Sequence, residues 1–243
     1  MEQVTRIHNR QGGLSTEESI LQKIFNADLL DIFPTDHGFV YACKELIDYD
    51  QEAIGFFNYD MHADLFERIP VKAYVEYKYG EGGIHLAKSL GDFVTCSLKP
   101  ITAGENIAAF KNGTIKIFNN NGIILEERKV AYLDNPAVSP EPVGRDLWMA
   151  VPEANAVINY SVKFDRIEFR IGGPNEKAFS HPISLSVYDN CLYVCNSNSF
   201  KIRTISLTDY KISDFYIFHE PVYKYFRVKN TEYAVLESGV YSL

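Results

Sequence analysis

The chain has 243 residues, of which 46% are hydrophobic and 14% aromatic, and its formal net charge is −8. This length allows one large domain or two small ones, and the many aromatic residues favour β-sheet because they suit half-buried pleated surfaces. An acidic chain without a long basic block is a poor candidate for nucleic-acid binding, and no apolar run approaches the roughly 20 residues that span a bilayer.

The N-terminus and the cysteines indicate a cytoplasmic protein. The first residues lack the apolar core of a signal peptide, and the four cysteines are too few and too scattered for a disulfide framework. Cys191 and Cys195 lie in one strand-like run, roughly 13 Å apart at the usual rise of a strand, so they cannot pair with each other. We therefore expect free, buried thiols.

The first elements of the chain are a predicted strand and a predicted helix. Residues 2–8 alternate between polar and apolar, as a strand does. Residues 15–26 are expected to be helical, because Ser15 and Glu18 have the spacing of a capping box. The apolar face of this short N-terminal helix would be formed by Ile20, Leu21, Ile24 and Phe25.

Residues 28–70 contain short strand-like runs at 38–43, 53–58 and 64–70, after the apolar segment LLDIFP. The next segment, 71–89, interrupts this pattern, and its centre could fold as a hairpin over one face of the protein. Long insertions in repeat proteins tend to lie on the binding face. The segment is therefore either a lid over that face or an insertion without a role in binding. Tyr77 and Tyr79 within it are candidate ligand-binding residues.

Two later segments resemble each other. Aligning Leu147-Trp148 with Leu192-Tyr193 also aligns the apolar positions of the strands that follow, and each copy begins with a Pro-led segment. Four short strands in roughly 45 residues is the blade period of a β-propeller. Weaker copies occur at 28–70 and at 90–130, where Asn-Gly turns separate the strands.

The last copy, 219–243, holds only three strands. A propeller must close its ring to protect its edge strands, so residues 2–8 are expected to supply the missing outer strand of that blade. The sequence thus predicts one all-β domain, 1–243, with five blades at about 28–70, 90–130, 134–172, 180–217, and 219–243 with 2–8. Six blades remain an alternative.

The clearest copy resembles the NHL class of propeller repeat. It has the Pro-led inner strand at Pro182, the apolar-Tyr-Val strand at 192–194, a small polar turn at 196–198 and the Ile-Arg pair at 202–203. The Asp that is usual in this turn is Asn196 here and Val151 in the preceding copy. The resemblance implies a propeller. It does not select a function, because proteins with this class of repeat include scaffolds, RNA binders and extracellular domains, and related propellers include lyases and lactonases.

Candidate functional residues lie where each innermost strand begins, at the rim of the expected central channel. The five positions are polar or acidic: Asp28, Asp92, Asn135, His181 and Glu220. We predict His181, Glu220 and Asp28 as catalytic residues and Asn135 and Asp92 as ligand-binding residues. Such groups could hold a divalent cation, although Asp and Asn also precede strands simply because they favour turns. The metal ligands stay unknown.

Two main functions follow from these residues. The first is a small-molecule enzyme or ligand binder of lyase, cyclase, isomerase or hydrolase type, with its pocket at the channel mouth. The second is a protein–protein interaction scaffold of the NHL type without catalysis. RNA binding is a third reading, which the acidic charge disfavours.

Overall fold

A computed structural model describes residues 3–10, 13–48, 51–102 and 104–243. Over this part of the chain the protein is a five-bladed β-propeller, as the repeats predict. The blades follow one another in chain order, and each innermost strand borders the central channel.

The N-terminal region forms three strands before the first blade: β1 (Gln3–Arg10), β2 (Gly13–Ile20) and β3 (Gln22–Phe25). The first blade consists of β4 (Asp28–Pro34), β5 (Gly38–Asp48), β6 (Gln51–Asp60) and β7 (Leu65–Arg68). Helices α1 (Val71–Tyr79) and α2 (Ile84–Leu90) follow it. The second blade consists of β8 (Ser97–Thr102), β9 (Glu105–Ala109), β10 (Thr114–Asn119) and β11 (Ile124–Lys129).

A two-stranded ribbon, β12 (Ala131–Tyr132) with β13 (Asn135–Pro136), leads into the third blade. That blade consists of β14 (Val138–Val143), β15 (Asp146–Val151), β16 (Ala156–Ser161) and β17 (Arg166–Gly172). The fourth has β18 (Pro182–Tyr188), β19 (Cys191–Asn196), β20 (Lys201–Ser206) and β21 (Ile212–Ile217). The fifth has β22 (Val222–Val228), β23 (Thr231–Leu236) and β24 (Gly239–Ser242).

The internal repeat is visible in the backbone of the third and fourth blades. Strands β15 and β19 begin 45 positions apart, and a short 3-10 turn follows each of them. Each turn ends on a residue with positive φ, Asn155 at 50° and Phe200 at 57°. Trp148 is 3% exposed and packs with side chains of the fourth blade, so it belongs to the core between the two blades.

The ring is closed by an N-terminal strand, but not by the one expected. Strand β1 pairs with β21 of the fourth blade through Thr5–Ile217 and Arg6–Tyr216, so the assignment of 2–8 to the last blade is wrong for its described residues. The last blade is completed by β3, with Phe25 opposite Val240. Residue 2 lies outside the described residues.

The helix predicted over 15–26 is also wrong, because residues 13–20 and 22–25 are strands. Glu18 of the expected capping box lies opposite Thr5 in the β1–β2 hairpin. Leu21 is buried between the fourth and fifth blades, whereas Ile20 is 61% exposed, so the apolar residues do not share one helical face. Pairing with the outer edges of two blades decided the conformation against the local helical pattern.

The insertion 71–89 is helical, where a hairpin was considered. Helix α1 lies against β5 and β6 of the first blade, and Tyr74 and Val75 of this helix are fully buried there. Helix α2 buries Leu86 and Leu90 against the second blade. The insertion therefore joins the first two blades, and one of its side chains reaches the channel. None of the helices in the described part of the chain has the length and apolarity needed to cross a membrane.

Candidate functional site in the central channel

The central channel encloses a cavity of about 690 Å³. Residues of all five innermost strands line it, together with residues from the loops at one end and Lys78 from α1. A cavity of this size is typical of small-molecule sites. The channel is therefore the place where chemistry on a small ligand would occur.

A charged or hydroxyl side chain from the interior of each innermost strand borders this cavity. In blade order these residues are Asp31, Lys99, Glu141, Ser186 and Lys224. Charged residues are almost never buried in a strand unless they have partners. Their partners here lie mainly within the channel itself.

Asp31 binds the insertion to the channel wall. Its Oδ2 accepts hydrogen bonds from Lys78 Nζ and Tyr74 Oη, both at 2.8 Å. Lys78 is 5% exposed, and its ammonium group also donates to the carbonyl oxygens of Phe93 at 3.0 Å and Val94 at 2.7 Å. All three ammonium hydrogens therefore have acceptors, which makes this pair a structural anchor.

Lys99 and Glu141 form a second ion pair, with Nζ 2.8 Å from Oε1. Burial raises the pKa of the Glu141 carboxyl, and the Lys99 charge opposes that rise. Burial favours the neutral acid, whereas the neighbouring cation favours the carboxylate. The pair places an acid–base group inside the cavity.

Of Lys78, Lys99 and Lys224, Lys224 has the most distant carboxylate partner. It donates to the carbonyl oxygen of Ile32 and lies 3.9 Å from Asp31 Oδ1. Burial lowers the pKa of its amine, and Asp31 opposes this effect while Lys99 and Lys78 add to it. The side chain is 35% exposed toward the channel although its amino group lies deep within the protein.

His181 stands at the mouth of the cavity, in a loop that holds it firmly. It has a φ of 54°, and its backbone N–H donates to Asn155 Oδ1 at 2.8 Å. The N–H of the preceding residue, Ser180, donates to Asn196 Oδ1 at 3.2 Å. Asn196, which replaces the usual Asp of the repeat, thus helps to shape the loop that carries His181.

The imidazole of His181 lies between a hydroxyl and a carboxylate. Its Nδ1 is 2.8 Å from Ser197 Oγ, and its Nε2 is 3.2 Å from Glu153 Oε1. This set resembles a nucleophilic triad in composition only, because Ser197 is 5% exposed, does not line the cavity and hydrogen bonds to the His181 carbonyl oxygen. The geometry instead makes Ser197 an orienting group, and it leaves the His181 imidazole beside the Glu153 carboxylate at the opening.

Of the five predicted strand-start residues, only His181 borders the cavity within the described part of the chain. Glu220 Oε2 accepts from the backbone N–H of Ser238 at 2.8 Å and braces the last blade. Asn135 donates to the Leu133 carbonyl oxygen at 2.8 Å within its own ribbon. Asp28 is exposed at the start of β4.

Asp92 and the two tyrosines of the insertion also lie outside the channel. Asp92 accepts a 3.2 Å hydrogen bond from the Thr95 backbone N–H and borders a second, more open pocket of about 560 Å³ beside the first blade. Tyr77 is 52% exposed. Tyr79 Oη donates to the Phe93 carbonyl oxygen at 2.6 Å and contacts Cys96 Sγ at 3.0 Å.

The described residues contain no group of three or more His, Cys, Asp or Glu side chains arranged to hold a metal ion. The strand-start ring therefore does not supply the ligand set considered for a divalent cation. The channel residues that sequence reasoning missed lie three to seven positions further along the chain, in runs such as LLDIFP and VYKYFRV. A charged residue inside an otherwise apolar strand was the available signal.

Comparison with known proteins supports the fold. The fold is similar to those of solved propellers, among them a catalytically inactive His-to-Ala variant of virginiamycin B lyase from Staphylococcus aureus with quinupristin. That structure has a TM-score of 0.53 and 10% identity, with 99% of this chain and 94% of that chain covered. Sqt1 of Saccharomyces cerevisiae has a TM-score of 0.52 and 11% identity, with 99% and 78% covered.

The chain is a β-propeller. The structural neighbours therefore confirm the fold that the NHL resemblance implies. No protein-family model matches the sequence, and no curated protein sequence matches it significantly. At such low identities the structural neighbours show the fold alone.

Proposed function

We propose that the protein binds a small polar molecule in the central channel and acts on it by proton transfer at the channel mouth. The observation that carries this proposal is the 690 Å³ cavity, into which all five innermost strands bring a charged or hydroxyl side chain. A scaffold that used only its outer faces would gain nothing from charges in the channel. Such charges cost stability unless they are paired.

The charges of the cavity suit a ligand with oxygen acceptors. Lysines 78, 99, 111 and 224 line it, against the carboxylates of Asp31, Glu141 and Glu153. A carboxylate, phosphate or polarised carbonyl on the ligand would therefore meet cationic donors. His181 and Glu153 would give or take a proton at the opening, which suits lyase, isomerase, cyclase or hydrolase chemistry.

One structural neighbour makes the histidine worth testing. The variant of virginiamycin B lyase described as catalytically inactive lacks one histidine, and its structure contains quinupristin. The fold likeness does not carry that reaction over to this chain. It supports the narrower idea that a histidine of a propeller can be required for catalysis.

The test is a melting-temperature screen against small polar metabolites, followed by variants of the channel. We expect a hit to stabilise the wild type and to lose affinity in Lys99→Met. Any turnover of the hit is expected to fall in His181→Ala. His85→Ala, an exposed histidine in α2 that does not line the cavity, is the matched control. Stabilisation that survives Lys99→Met and His181→Ala alike would contradict binding in the channel.

The scaffold function remains the second candidate because of one exposed apolar group. Leu46, Ile47 and Ile54 on the β5–β6 hairpin are 79%, 67% and 44% exposed. Exposed apolar clusters often mark protein interfaces. A stoichiometric partner captured by the wild type and lost with Leu46→Ser/Ile47→Ser, with no channel ligand found, would favour this function.

We also propose that the protein works in the cytoplasm. All four cysteines are free thiols, and Cys43, Cys96 and Cys195 are buried. Reduced thiols suit a reducing compartment. Localisation of the tagged protein in its native cell tests this proposal, and a secreted pool would contradict it.

A further inference from the structure

Among Lys78, Lys99 and Lys224, one lysine lacks a close carboxylate partner. Lys78 and Lys99 each have a carboxylate oxygen at 2.8 Å, from Asp31 and Glu141 respectively. Lys224 has only the shared Asp31, at 3.9 Å, and a backbone carbonyl oxygen. Of these three amines, that of Lys224 is therefore the least engaged in ion pairing.

The surroundings of Lys224 favour an uncharged amine. Its amino group lies deep within the protein, near the charges of Lys78, Lys99, Asp31 and Glu141. Removal from water and the two other ammonium groups act against a third positive charge, and both carboxylates act in its favour. Burial is the largest of these influences and lowers the pKa of the amine. A neutral amine is the nucleophilic form.

The amine also has space beside it. Lys224 lines the 690 Å³ cavity, and its side chain is 35% exposed toward that space. A small ligand can therefore reach the amino group without displacing the blade. Lys78, by contrast, is enclosed at 5% exposure with all three hydrogens donated.

We propose that Lys224 is a carbonyl-reactive amine that holds a small aldehyde or ketone in the channel as an imine. This inference rests on the proposed function and names the chemical class of its ligand. Carboxylated carbonyl compounds suit the site best, because the iminium adds a positive charge that the ligand's own carboxylate would offset.

The reaction balances without a cofactor. The lone pair of Nζ forms a bond to the carbonyl carbon, the carbonyl electron pair moves to oxygen, and one proton passes from nitrogen to that oxygen, which gives a carbinolamine. Its hydroxyl leaves as water after taking a proton from a nearby acid, while the nitrogen lone pair forms the double bond to carbon. The protonated imine then returns its nitrogen proton to the conjugate base of that acid. Glu141 is the candidate for this acid, because burial raises its pKa and its charge acts on Lys224. No oxidation or reduction occurs.

The first experiment measures the reactivity of each lysine in the native wild-type protein. Limiting isotopic formaldehyde with cyanoborohydride near pH 7 methylates neutral amines, and peptide mass spectrometry gives the rate at every site. Lys224 is expected to react ahead of Lys163, which is exposed, and of Lys99, the paired lysine of the same channel. The neutral fraction rises roughly tenfold for each unit by which a pKa is lowered.

The second experiment uses glyoxylate, a small carboxylated aldehyde, with the same reductant. A single adduct at Lys224 is expected in the wild type and in Lys163→Arg, and its loss is expected in Lys224→Arg, which keeps a cation but cannot form the imine. Equal adduct formation in Lys224→Arg, or modification of Lys224 no faster than Lys163, would overturn the proposal. Melting temperatures confirm that each variant is folded.

The two proposals fail in different ways. A ligand that stabilises the wild type through Lys99 while Lys224 stays unmodified contradicts the imine and leaves channel binding intact. Absence of any channel-dependent ligand contradicts the proposed function even where formaldehyde labels Lys224 quickly. The wild-type labelling rates need no variant, so a misfolded substitution cannot obscure the outcome.

Discussion

Replacing Lys78 by methionine would remove the cation that ties helix α1 to the channel. The side chain is 5% exposed, its partner Asp31 is 14% exposed, and their atoms are 2.8 Å apart. Methionine keeps much of the side-chain length and of the helix propensity. The change therefore isolates the loss of the charge and of its three hydrogen bonds.

The expected loss of stability follows from the Asp31 charge that the substitution leaves without its closest partner. Breaking a buried ion pair by removing one partner costs about 3–5 kcal/mol, because the other charge stays buried. Asp31 would keep its hydrogen bond from Tyr74 and the more distant Lys224, which places the cost near the lower limit. We expect a loss of about 3 kcal/mol in the free energy of unfolding. That loss corresponds to roughly 6–12 °C in melting temperature for a chain of this length.

The assay is urea unfolding followed by tyrosine fluorescence, with a double-mutant cycle that includes Asp31→Asn. The matched control is Lys72→Met in the same helix, where Lys72 is 74% exposed and lies 3.7 Å from Glu76. Exposed pairs of this kind contribute about 0.5 kcal/mol or less. A loss below about 1 kcal/mol for Lys78→Met, or no coupling with Asp31→Asn, would refute the reasoning.

Three further predictions concern other parts of the ring. Arg227→Lys is expected to cost about 2 kcal/mol in urea unfolding, because Arg227 lies over the rings of Tyr188 and Tyr193 and binds Glu232 at 3.1 Å, whereas exposed Arg166→Lys should cost little. The melting temperature of Glu141→Gln should rise relative to that of the wild type as pH rises from about 4 to 7. The pKa of Glu141 is raised in the folded protein, so the wild type loses stability once this group ionises in the unfolded chain. A difference in melting temperature that stays constant across that range would contradict this reasoning. Burial raises the pKa of the Cys195 thiol to about 12, so iodoacetamide at pH 8 should alkylate it only after unfolding, and labelling in the native protein would show that the site opens.

Sequence reasoning found the ring because its cause is local. The alternation of short apolar runs and turns repeats every 45 positions in the third and fourth blades, and the same register reappears in the strands β15 and β19. Packing of Trp148 and Tyr193 between blades follows from that register. The register and this packing both depend on residues that are close together in the chain, and a sequence pattern records such local relations.

The channel was harder to predict because it depends on the register within each innermost strand. These strands carry bulges, for example between Val138 and Glu141 and between Val222 and Lys224, which move the side chain that faces the axis. Counting from the start of the strand therefore selected Asn135 and Glu220 in place of Glu141 and Lys224. His181 was found because the loop that carries it lies at the mouth of the cavity.

The N-terminal strands could not be assigned from local pattern. Residues 15–26 have helical spacing of apolar residues, but β2 pairs with β1, which lies on the outer edge of the fourth blade, and β3 pairs with the last strand of the fifth blade. Lys78 was missed for the same reason, since its partner Asp31 is 47 positions away. Long-range pairing is the information that a single sequence does not display.

The closing strand has a consequence for the order in which the protein assembles. Phe25 pairs with Val240, so about 215 residues must be organised before this contact can form. Closing a loop of that length costs about 5 kcal/mol in chain entropy, against about 1 kcal/mol for a four-residue turn. The ring should therefore join last during folding and separate first under stress. Hydrogen exchange should detect this as the fastest opening among the blade strands, at the seam between β3 and β24.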